Sequence, residues 1–530
     1  MLTYILFFLA MLMYAIYTVV SSKRQFHMLQ LSGYHNAEYI KWFFTESRVL
    51  RPSCFLPFAS VIFALLGFFN AFLICLAAMY FIASLIQPKI IQKKKFVYTA
   101  RVKRQYAAFI AVMGAIIAAA AAALFKSSFV LCTAIIMFAV AISGFKFIYP
   151  VLANIISLPA EKAVQRYYIN DAKAILKKRP DLVTIGITGS YGKTSVKFIM
   201  QKFLSQKYNV LMTPESYNTP MGIVKTIRML LQPAHQIFIC EMGAKVTGEI
   251  KELCDIVHPQ HGLITSIGMQ HLETFKSLQN IIDTKFELVD AIPKDTGKAF
   301  LNFENENIAR RKTDKNVISY GLNNPNLMYW ASDIAYAKDG ISFTLNSQKG
   351  VKVNIATTLL GNHNVINIVG AAAVALEFGV KPEDIAYAAR KLVPVPHRLE
   401  LKRISDSLTM IDDAFNSNPN GAKEAVNVLS TFTDAVRILV TPGFIELGSI
   451  EHEENYKLGA HAAGRCDYLI AVGDEKRREP ICKGAIDAGF DKNKVFALNN
   501  LREALELLYK IDGKNKVALF ENDLPDHLER

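Results

Sequence analysis

The sequence predicts an N-terminal α-helical membrane region followed by two α/β domains: a phosphate-loop central domain with a mostly parallel sheet, and a Rossmann-like C-terminal domain. Three observations support this fold class. Apolar residues make up 52% of the 530-residue chain and are concentrated in its first 150 residues. A glycine-rich turn joins an apolar run to a helical pattern within residues 182–204. Beyond it, short apolar runs alternate with helical segments, which is typical of a parallel sheet.

Residues 1–150 contain apolar runs that predict about five membrane crossings. Residues 2–20 are long enough to cross a bilayer and lack a basic leader and a small-residue cleavage site, so they predict an anchor rather than a signal peptide. Residues 55–86 are too long for one crossing and predict a hairpin that turns near Gly67. Residues 106–125 and 129–149 predict a second hairpin around Lys126.

Basic residues set the expected orientation of this region. The formal net charge of the chain is +14, and much of the excess lies between the apolar runs, which favours a membrane surface over nucleic acid as the partner. The positive-inside rule places both basic segments, and all later domains, in the cytoplasm of a multi-pass plasma-membrane protein. These residues are Lys23, Arg24, Lys41, Arg48 and Arg51 in the first segment, and Lys89, Lys93, Lys94, Lys95, Arg101, Lys103 and Arg104 in the second.

Two function classes receive no support from the sequence. The apolar runs carry no Asp, Glu, Lys or Arg at their centres, which argues against ion or proton transport. The seven cysteines form no C-x-x-C pair, which argues against a zinc site or a disulfide framework. The membrane region is therefore interpreted as a plain anchor or, alternatively, as a site for a lipid-linked substrate. A polar connector over residues 151–181 leads from it to the α/β part.

The most informative motif is T-G-S-Y-G-K-T-S at residues 188–195, a phosphate cradle between a strand and a helix. Lys193 would reach the β- and γ-phosphates and the Thr194 hydroxyl would hold Mg²⁺. The first glycine of the usual phosphate-loop pattern is replaced by Ile187, so a plain glycine turn with a solvated lysine is the alternative. The residues expected to bind nucleotide here are Gly189, Gly192, Lys193, Thr194 and Ser195.

A second candidate site residue follows the short apolar run at residues 237–240. Glu241 stands at the carboxyl end of this predicted strand, close to the phosphate loop of the neighbouring strand. Carboxylates at this edge of a parallel sheet are suited to hold Mg²⁺.

The order of motifs from residue 182 to the C-terminus resembles that of the Mur ligases. The later motifs are N-T-P-M-G at 218–222, E-M-G-A at 241–244, I-G-M-Q-H-L-E at 267–273, G-N-H-N-V-I-N at 361–367, P-H-R-L-E at 396–400, D-D-A-F-N-S-N-P at 412–419 and E-L-G at 446–448. The resemblance implies a central ATP-binding domain over residues 182–392 and a C-terminal domain over residues 393–530.

The resemblance also implies roles for individual residues. Lys193 and Thr194 would bind ATP phosphates and Mg²⁺, and Glu241 would hold the same ion. His271 would contact a second Mg²⁺, and Lys285 matches the position of a carbamylated lysine that supplies a carboxylate to the metal pair. Asn364 and Asn367 would face the adenine. Arg398 would contact an ATP phosphate from the domain joint, and Asp413 would meet the ribose. Helix capping is the alternative for the two asparagines, a turn role for Asp413, and an ordinary surface pair for His271 and Lys285.

The activity implied by the resemblance is ATP-dependent amide-bond formation in peptidoglycan precursor synthesis. A carboxylate would be activated as an acyl phosphate and then attacked by an amine, with D-alanyl-D-alanine as the expected amine. Lys193, Lys285 and His271 would form the catalytic group, with two Mg²⁺ ions and ATP as cofactors.

Two departures from the family pattern keep other functions open. Membrane helices occupy the place of the usual UDP-sugar-recognition domain, so the carboxylate substrate could be lipid-linked. The usual K-G-S-R-like strand end is replaced by residues 520–526, and a histidine after the E-L-G motif is replaced by Asn455. A polyglutamate or capsule amino-acid ligase is one alternative. A non-catalytic ATP-binding scaffold of the cell envelope is another, and the intact Lys193, Glu241, His271 and Lys285 argue against it.

Overall fold

The computed structural model describes residues 1–45, 56–86, 95–337, 340–414, 418–445 and 447–522. The chain divides into two compact units, the first ending at Arg166 and the second starting at Tyr167. The following residues named from the sequence lie outside the described ones: Arg48, Arg51, Lys89, Lys93, Lys94, Phe415, Asn416, Ser417, Glu446 and residues 523–526.

The first unit is built of helices, as the sequence predicts. A 3₁₀ helix at Leu56–Ser60 precedes the third α-helix. The α-helices are α1 Leu2–Leu31, α2 Asn36–Thr45, α3 Val61–Leu65, α4 Phe69–Leu85, α5 Ala100–Phe125, α6 Phe129–Gly144 and α7 Ile148–Lys177, of which α7 continues into the second unit.

Two of these helices, α1 and α5, are long and apolar enough to cross a membrane. A third span is possible if α6 and α7, which are bent by 95° relative to each other, cross together. Helix α4 has 17 residues and is shorter than this measure requires. Length and composition therefore support two or three spans in the described part of the chain. The prediction of five crossings stays a prediction.

The helices extend further than the apolar pattern predicts. Helix α1 continues past Val20 to Leu31, and Gln25 in this extension accepts a hydrogen bond from Tyr39 Oη at 2.8 Å. The expected connector at residues 151–181 is largely the continuation of α7, which contains Pro159. Both expected turns are confirmed, at Gly67 with φ 78° between α3 and α4 and at Lys126–Ser128 between α5 and α6.

The second unit contains a nine-stranded sheet in the order β2-β3-β1-β4-β5-β6-β7-β8-β9. The ladder is parallel from β2 to β7, and β7, β8 and β9 pair antiparallel. The strands are β1 Val183–Thr188, β2 Val210–Met212, β3 Ile237–Glu241, β4 His261–Ile264, β5 Lys298–Asn302, β6 Asn316–Leu322, β7 Tyr329–Ala337, β8 Gly340–Ser347 and β9 Lys352–Thr357. The mostly parallel central sheet predicted from the sequence is confirmed.

Helices cover the parallel part of this sheet, where strands such as β1 and β3 are apolar and buried. All five residues of β3 are buried, as expected for a strand covered on both faces. Helix α8 buries Val196, Met200 and Phe203, which lie on one helical face. The helices are α8 Lys193–Leu204, α9 Pro220–Leu230, α10 Glu249–Val257, α11 Leu272–Phe275, α12 Leu278–Ala291, α13 Glu306–Ala309, α14 Asn362–Glu377 and α15 Pro382–Ala389.

A second sheet of six strands follows, in the order β10-β11-β15-β12-β13-β14. Strands β10 and β11 form an antiparallel hairpin, and the other pairs are parallel. Its strands are β10 Glu400–Ser405, β11 Leu408–Asp413, β12 Val436–Thr441, β13 Tyr468–Val472, β14 Val495–Leu498 and β15 Lys516–Glu521, and its helices are α16 Pro419–Ser430, α17 Glu451–Ala462, α18 Glu475–Asp487 and α19 Leu501–Lys510. This is the α/β C-terminal domain that the sequence predicts.

Candidate active site

The phosphate loop joins β1 to α8 and needs glycine at two positions. Gly189 and Gly192 have φ angles of 149° and 80°, which L-residues rarely adopt. A Cβ atom on Gly189 would overlap Thr265 Oγ1, and one on Gly192 would lie 2.8 Å from Asn367 Oδ1. The loop is therefore packed too closely for any side chain at either position.

The residues after β4 hold this loop in place. Ser190 N donates to Ser266 O at 2.6 Å, and Tyr191 N donates to Ser266 Oγ at 3.3 Å. The Ser190 hydroxyl donates to Gly268 O at 3.0 Å, and Thr265 Oγ1 donates to Tyr191 O. The loop conformation is thus fixed from outside as well as by its glycines.

Lys193 begins α8 and folds back over the loop. Its Nζ donates to Gly189 O at 2.7 Å and to Ser190 O at 3.1 Å. Burial lowers the pKa of Lys193 to about 8, the nearby Glu241 carboxylate acts in the opposite direction, and Arg398 lowers the pKa further. The ammonium therefore lies against the loop, and its contact with ATP phosphates stays a prediction.

Glu241 is the centre of a buried polar cluster at the carboxyl end of β3. Its Oε1 accepts from Thr194 Oγ1 and from Asn218 Nδ2, both at 3.1 Å. Its Oε2 lies 3.0 Å from Lys197 Nζ. The structure thus brings Thr194 and Glu241 together as predicted.

Asn218 and Lys197 belong to the same cluster, but neither was identified as a site residue from the sequence. Asn218 belongs to a motif of the family resemblance, so its position was visible. Lys197 lies four residues after Lys193, and this spacing was its only signal.

Lys285 on α12 is 3% exposed. Burial lowers its pKa well below the ordinary value, Lys193 lowers it further, and Glu249 and Glu287 oppose this effect. A buried lysine of this kind excludes the surface-pair interpretation. Its Nζ lies 5.8 Å from the centre of the Phe275 ring.

His271 is the N-cap residue that precedes the short helix α11, and its φ angle is 53°. Its carbonyl accepts from the amides of Thr274 and Phe275, at 3.0 and 3.1 Å. These contacts fix the backbone, and the proposed bond between its imidazole and a second metal ion stays a prediction.

The two asparagines in the first two turns of α14 contact each other, and one of them lies beside the phosphate loop. Asn364 Nδ2 donates to Leu360 O at 2.7 Å, and Asn367 Nδ2 donates to Asn364 Oδ1 at 3.4 Å. The N-cap of α14 is Gly361, so neither side chain caps the helix by accepting from its first amides. Asn367 lies against Gly192, which places it beside the loop; its contact with adenine stays a prediction.

Arg398 and Asp413 lie close together between the two α/β domains. Burial raises the pKa of Asp413 to about 6, although Arg398 and the Leu399 amide, which donates to its Oδ1 at 3.2 Å, act in the opposite direction. Burial lowers the pKa of Arg398, and Asp413 and Glu241 oppose this. Asp413 is the last residue of β11, so the turn interpretation is wrong.

His363 is a neutral neighbour of this guanidinium that sequence reasoning missed. Burial, together with Arg398, lowers the pKa of its imidazole to about 4.

Asp412, the first aspartate of the pair, has a different role. Its Oδ2 lies 2.8 Å from His397 Nδ1 and 2.6 Å from Lys402 Nζ. Lys402 Nζ also lies 2.9 Å from Glu400 Oε2. The His397, Glu400 and Asp412 side chains approach each other as metal ligands do. The Lys402 ammonium already occupies the centre of the group, so it is an ion-pair network.

The departures at the end of the C-terminal domain have structural partners. Glu521 is fully buried, accepts from Thr441 Oγ1 at 2.9 Å, and has a pKa raised well above its ordinary value by burial and by Asp413. Asn455 Oδ1 accepts from Phe444 N at 2.8 Å and its Nδ2 donates to Glu451 O at 2.9 Å. Asn455 therefore anchors the segment that follows β12.

The comparisons with known proteins agree with this arrangement. The description "Mur ligase middle domain" matches residues 187–375, and "Mur ligase, glutamate ligase domain" matches residues 397–520. Similar proteins include UDP-N-acetylmuramoyl-tripeptide--D-alanyl-D-alanine ligases. The Bacillus subtilis relative is 29% identical, with 66% of this chain and 75% of the relative covered. The Escherichia coli relative is 28% identical, with 70% and 84% covered.

Solved structures give the same result for the fold. MurF from Acinetobacter baumannii matches with a TM-score of 0.61 and 25% identity, covering 68% of this chain and 77% of that one. MurF ligase from Thermotoga maritima in complex with ADP matches with a TM-score of 0.59 and 22% identity, covering 68% and 80%. With the phosphate loop, the Glu241 cluster and both α/β domains in place, the chain belongs to the Mur ligase family.

Proposed function

We propose that this chain forms an amide bond in peptidoglycan precursor synthesis by joining an ATP-activated carboxylate to D-alanyl-D-alanine. Members of its family are ATP-dependent carbon–nitrogen ligases, and relatives with this amine in their names match along both α/β domains. The observation that carries the proposal is the convergence of Lys193, Glu241 and Lys285 from the central domain with Arg398 from the C-terminal domain. In support of this, Glu241 and Arg398 both affect the pKa of Lys193, and Lys193 affects the pKa of Lys285.

The Glu241 cluster fits Mg²⁺. Thr194 Oγ1 and Glu241 Oε1, only 3.1 Å apart, are the hard oxygen ligands that this ion prefers, and Asn218 adds an amide beside them. Thr194 and Glu241 would hold the ion, and when bound it would neutralise charge on the β- and γ-phosphates. Lys197 Nζ lies 3.0 Å from the other carboxylate oxygen, Oε2, and balances part of the charge of Glu241.

Lys193 and the loop amides bind the phosphates. When phosphate oxygens enter, Lys193 Nζ exchanges its two carbonyl partners for them, and the N-terminus of α8 adds positive potential. Arg398 contributes a second cation from the neighbouring domain, next to Asp413. Closure of the domains would exclude water from the reaction.

Lys285 is suited to carbamylation. Its depressed pKa leaves more of the amine uncharged at neutral pH. The amine nitrogen would bond to the carbon of CO₂ and release a proton, which leaves a carbamate anion. A carbamate on Lys285 would supply carboxylate oxygens near Lys193, where a second Mg²⁺ with His271 as a further ligand is proposed.

The reaction has two steps. A substrate carboxylate oxygen attacks the γ-phosphorus of ATP, ADP leaves, and an acyl phosphate forms. The amine nitrogen then attacks the acyl carbon, phosphate leaves and the nitrogen loses a proton. Asn364, Asn367 and Asp413 would orient the nucleoside, and Gly189, Gly192 and Ser195 would complete the phosphate cradle.

A lipid-linked carboxylate is a second candidate acceptor. The family matches begin at residue 187, and the preceding region contains two helices that could cross a membrane. A membrane-anchored enzyme with its ligase domains in the cytoplasm would reach a carboxylate on a lipid carrier as readily as it would reach a soluble carboxylate.

The proposal is tested by supplying the purified full chain with ATP and defined substrate pairs. The carboxylates are UDP-linked muramoyl-tripeptide and a lipid-linked counterpart, and the amines are D-alanyl-D-alanine and single amino acids. Mass spectrometry of the products, together with phosphate release, identifies the pair. Ligation of D-alanyl-D-alanine to either acceptor supports the proposal. ATP binding without ligation of any pair would indicate a scaffold, and ligation of glutamate alone would indicate a polyglutamate-type enzyme.

A further inference from the structure

Almost all the net charge of the chain belongs to its first unit. Residues 1–166 hold 16 of the 60 Lys and Arg residues but only 3 of the 46 Asp and Glu residues, so they carry 13 of the 14 net positive charges. The rest of the chain is close to neutral. A strongly basic unit built from apolar helices is suited to an anionic membrane surface.

One end of this unit contains a buried polar cluster centred on Asn154. Its Oδ1 accepts from Gln105 Nε2 at 2.8 Å and from Arg101 Nη2 at 3.5 Å. Its Nδ2 donates to Tyr34 O at 3.0 Å and to Asn36 Oδ1 at 2.8 Å. Asn154 on α7 thus ties α5 to the turn between α1 and α2, and its own hydrogen-bonding capacity is used.

The acidic residue in this part of the unit is already paired. Arg104 forms two hydrogen bonds with Glu161, at 2.5 and 2.9 Å. Glu161 is buried, so its carboxylate is held by this bidentate contact. Arg101, one turn earlier on α5, lies instead on the ring of Tyr34, with 3.9 Å from its guanidinium carbon to the ring centre.

Two polar atoms of the cluster have no hydrogen-bond partner within the described part of the chain. They are Arg101 Nε, a donor, and Gln105 Oε1, an acceptor on a fully buried side chain. The two residues are four apart on α5 and therefore share one helix face. Buried polar groups without partners are costly, and native proteins rarely leave them unsatisfied. A ligand that satisfies both atoms would place an anionic oxygen at Arg101 Nε and donate a hydrogen bond from a hydroxyl to Gln105 Oε1.

The location of the cluster indicates which anion fits. Arg101 is the second residue of α5, one of the two helices that could cross a membrane. Aromatic rings surround the same end of the helix, with ring centres of Tyr98 and Tyr106 6.0 Å apart and those of Phe96 and Tyr98 4.7 Å apart. Such rings are enriched at the level of lipid headgroups.

We propose that Arg101 and Gln105 form a binding site for the phosphate headgroup of a lipid. The guanidinium binds phosphate oxygen, as arginine does with bidentate anions, and Gln105 accepts from a hydroxyl of the headgroup or of a protonated phosphate. The site is separate from the ATP site and does not depend on the ligase function. Its ligand comes either from bulk anionic phospholipid or from a phosphorylated polyprenyl carrier.

The test uses the full-length protein in nanodiscs and measures bound lipid by native mass spectrometry. The matrix is phosphatidylcholine, with phosphatidylglycerol or undecaprenyl phosphate added in separate arms and inorganic phosphate as competitor. We expect retention of one of the two anionic lipids. Preference for phosphatidylglycerol assigns the site to bulk lipid, and preference for the polyprenyl phosphate assigns it to the carrier.

Two variants decide the test: Arg101→Gln removes a positive charge, and Gln105→Leu removes only the amide. Arg101→Gln should lower retention of the anionic lipid about tenfold, and Gln105→Leu should lower it without changing charge. Lys103→Gln is the matched control, because Lys103 is exposed on the same helix and its substitution removes the same charge. Circular dichroism and nucleotide binding of each variant verify folding.

Three results would overturn the proposal. Equal losses in Arg101→Gln and Lys103→Gln would mean that only diffuse charge attracts lipid. Retention of phosphatidylcholine as strong as that of both anionic lipids would mean that the cluster does not select an anionic headgroup that can donate a hydroxyl. Full retention in properly folded Gln105→Leu would show that no such pair of contacts exists.

Discussion

Lys197 Nζ lies 3.0 Å from Glu241 Oε2, and both side chains are essentially inaccessible to solvent. Lys197 also donates to the carbonyl of Glu215, so its ammonium is bound on two sides. The ion pair, formed through Oε2, balances the charge of the buried Glu241 carboxylate. The other oxygen is left to Thr194, Asn218 and the proposed metal ion.

Replacing Lys197 with methionine should destabilise the central domain by about 3 kcal/mol, because it leaves a buried carboxylate without its counter-ion. Differential scanning fluorimetry without nucleotide measures this loss. The double variant Lys197→Met/Glu241→Gln should recover part of it, because the uncompensated charge is then absent. A double variant less stable than Lys197→Met would contradict this account.

Gly192→Ala should weaken nucleotide binding, because the new Cβ would lie 2.8 Å from Asn367 Oδ1 and displace this side chain beside the loop. Gly350→Ala is a matched control. Gly350 has a φ of 82°, close to the 80° of Gly192, but no atom lies within 4 Å of the place that its Cβ would take. Titration with a fluorescent ADP analogue should show normal affinity for Gly350→Ala. Equal losses in the two variants would mean that backbone strain, not the contact with α14, is decisive.

The two adjacent aspartates should respond to pH in opposite ways. The raised folded-state pKa of Asp413 means that its ionisation removes stability as pH rises from 3.8 to about 6. The free energy of unfolding of Asp413→Asn, relative to that of the unmodified protein, should therefore rise by about 3 kcal/mol between pH 4 and pH 7. This follows from 1.36 kcal/mol for each unit of pKa. Denaturant unfolding over this pH range measures the difference.

Asp412→Asn provides the contrast. Burial alone would raise the pKa of Asp412, but hydrogen bonds from Lys402 and His397 outweigh it and lower the pKa. Its stabilising contribution is present above pH 3.8 and is lost only at lower pH. The stability deficit of Asp412→Asn should stay constant from pH 5 to 7. Parallel curves for both variants would refute the assignment of the raised pKa to Asp413.

Lys285 should carry a carbamate when CO₂ is present. Protein equilibrated with ¹³C-labelled bicarbonate should show a carbamate carbon resonance that is absent from Lys285→Ala. Ligation by Lys285→Ala should fall about 100-fold, within the range for lost metal-orienting groups, whereas replacement of exposed Lys251 on α10 should leave it unchanged. Full ligation by Lys285→Ala, or no carbamate resonance in the unmodified protein, would contradict the assignment of a carbamate to Lys285.

The sequence predicted the features that depend on local pattern. The phosphate loop, the strand that ends at Glu241 and the mostly parallel sheet were predictable, because glycine spacing and apolar runs encode them directly. Lys197 could not be assigned in this way. Its burial depends on Glu241 and Glu215, which are distant in sequence, and an isolated lysine on a helix is ordinarily solvated.

The distinction between Asp412 and Asp413 also depends on tertiary contacts. Successive residues of a strand point to opposite faces, so one aspartate meets Lys402 and the other meets Arg398. The lengths of α1 and α7 exceeded the prediction for a different reason: both helices continue through polar residues, at which the apolar pattern ends.

The contacts of Lys193 with its own loop bear on how the enzyme ends its cycle. Two carbonyl oxygens already satisfy this ammonium, so an anion must offer more than they do to displace them. A polyphosphate can contact the whole loop at once, so we expect it to displace these carbonyl oxygens far more readily than a single orthophosphate ion does. We therefore expect Lys193 to bond again to the carbonyl oxygens of Gly189 and Ser190 when the products leave. Inorganic phosphate should be a weak inhibitor even at millimolar concentration.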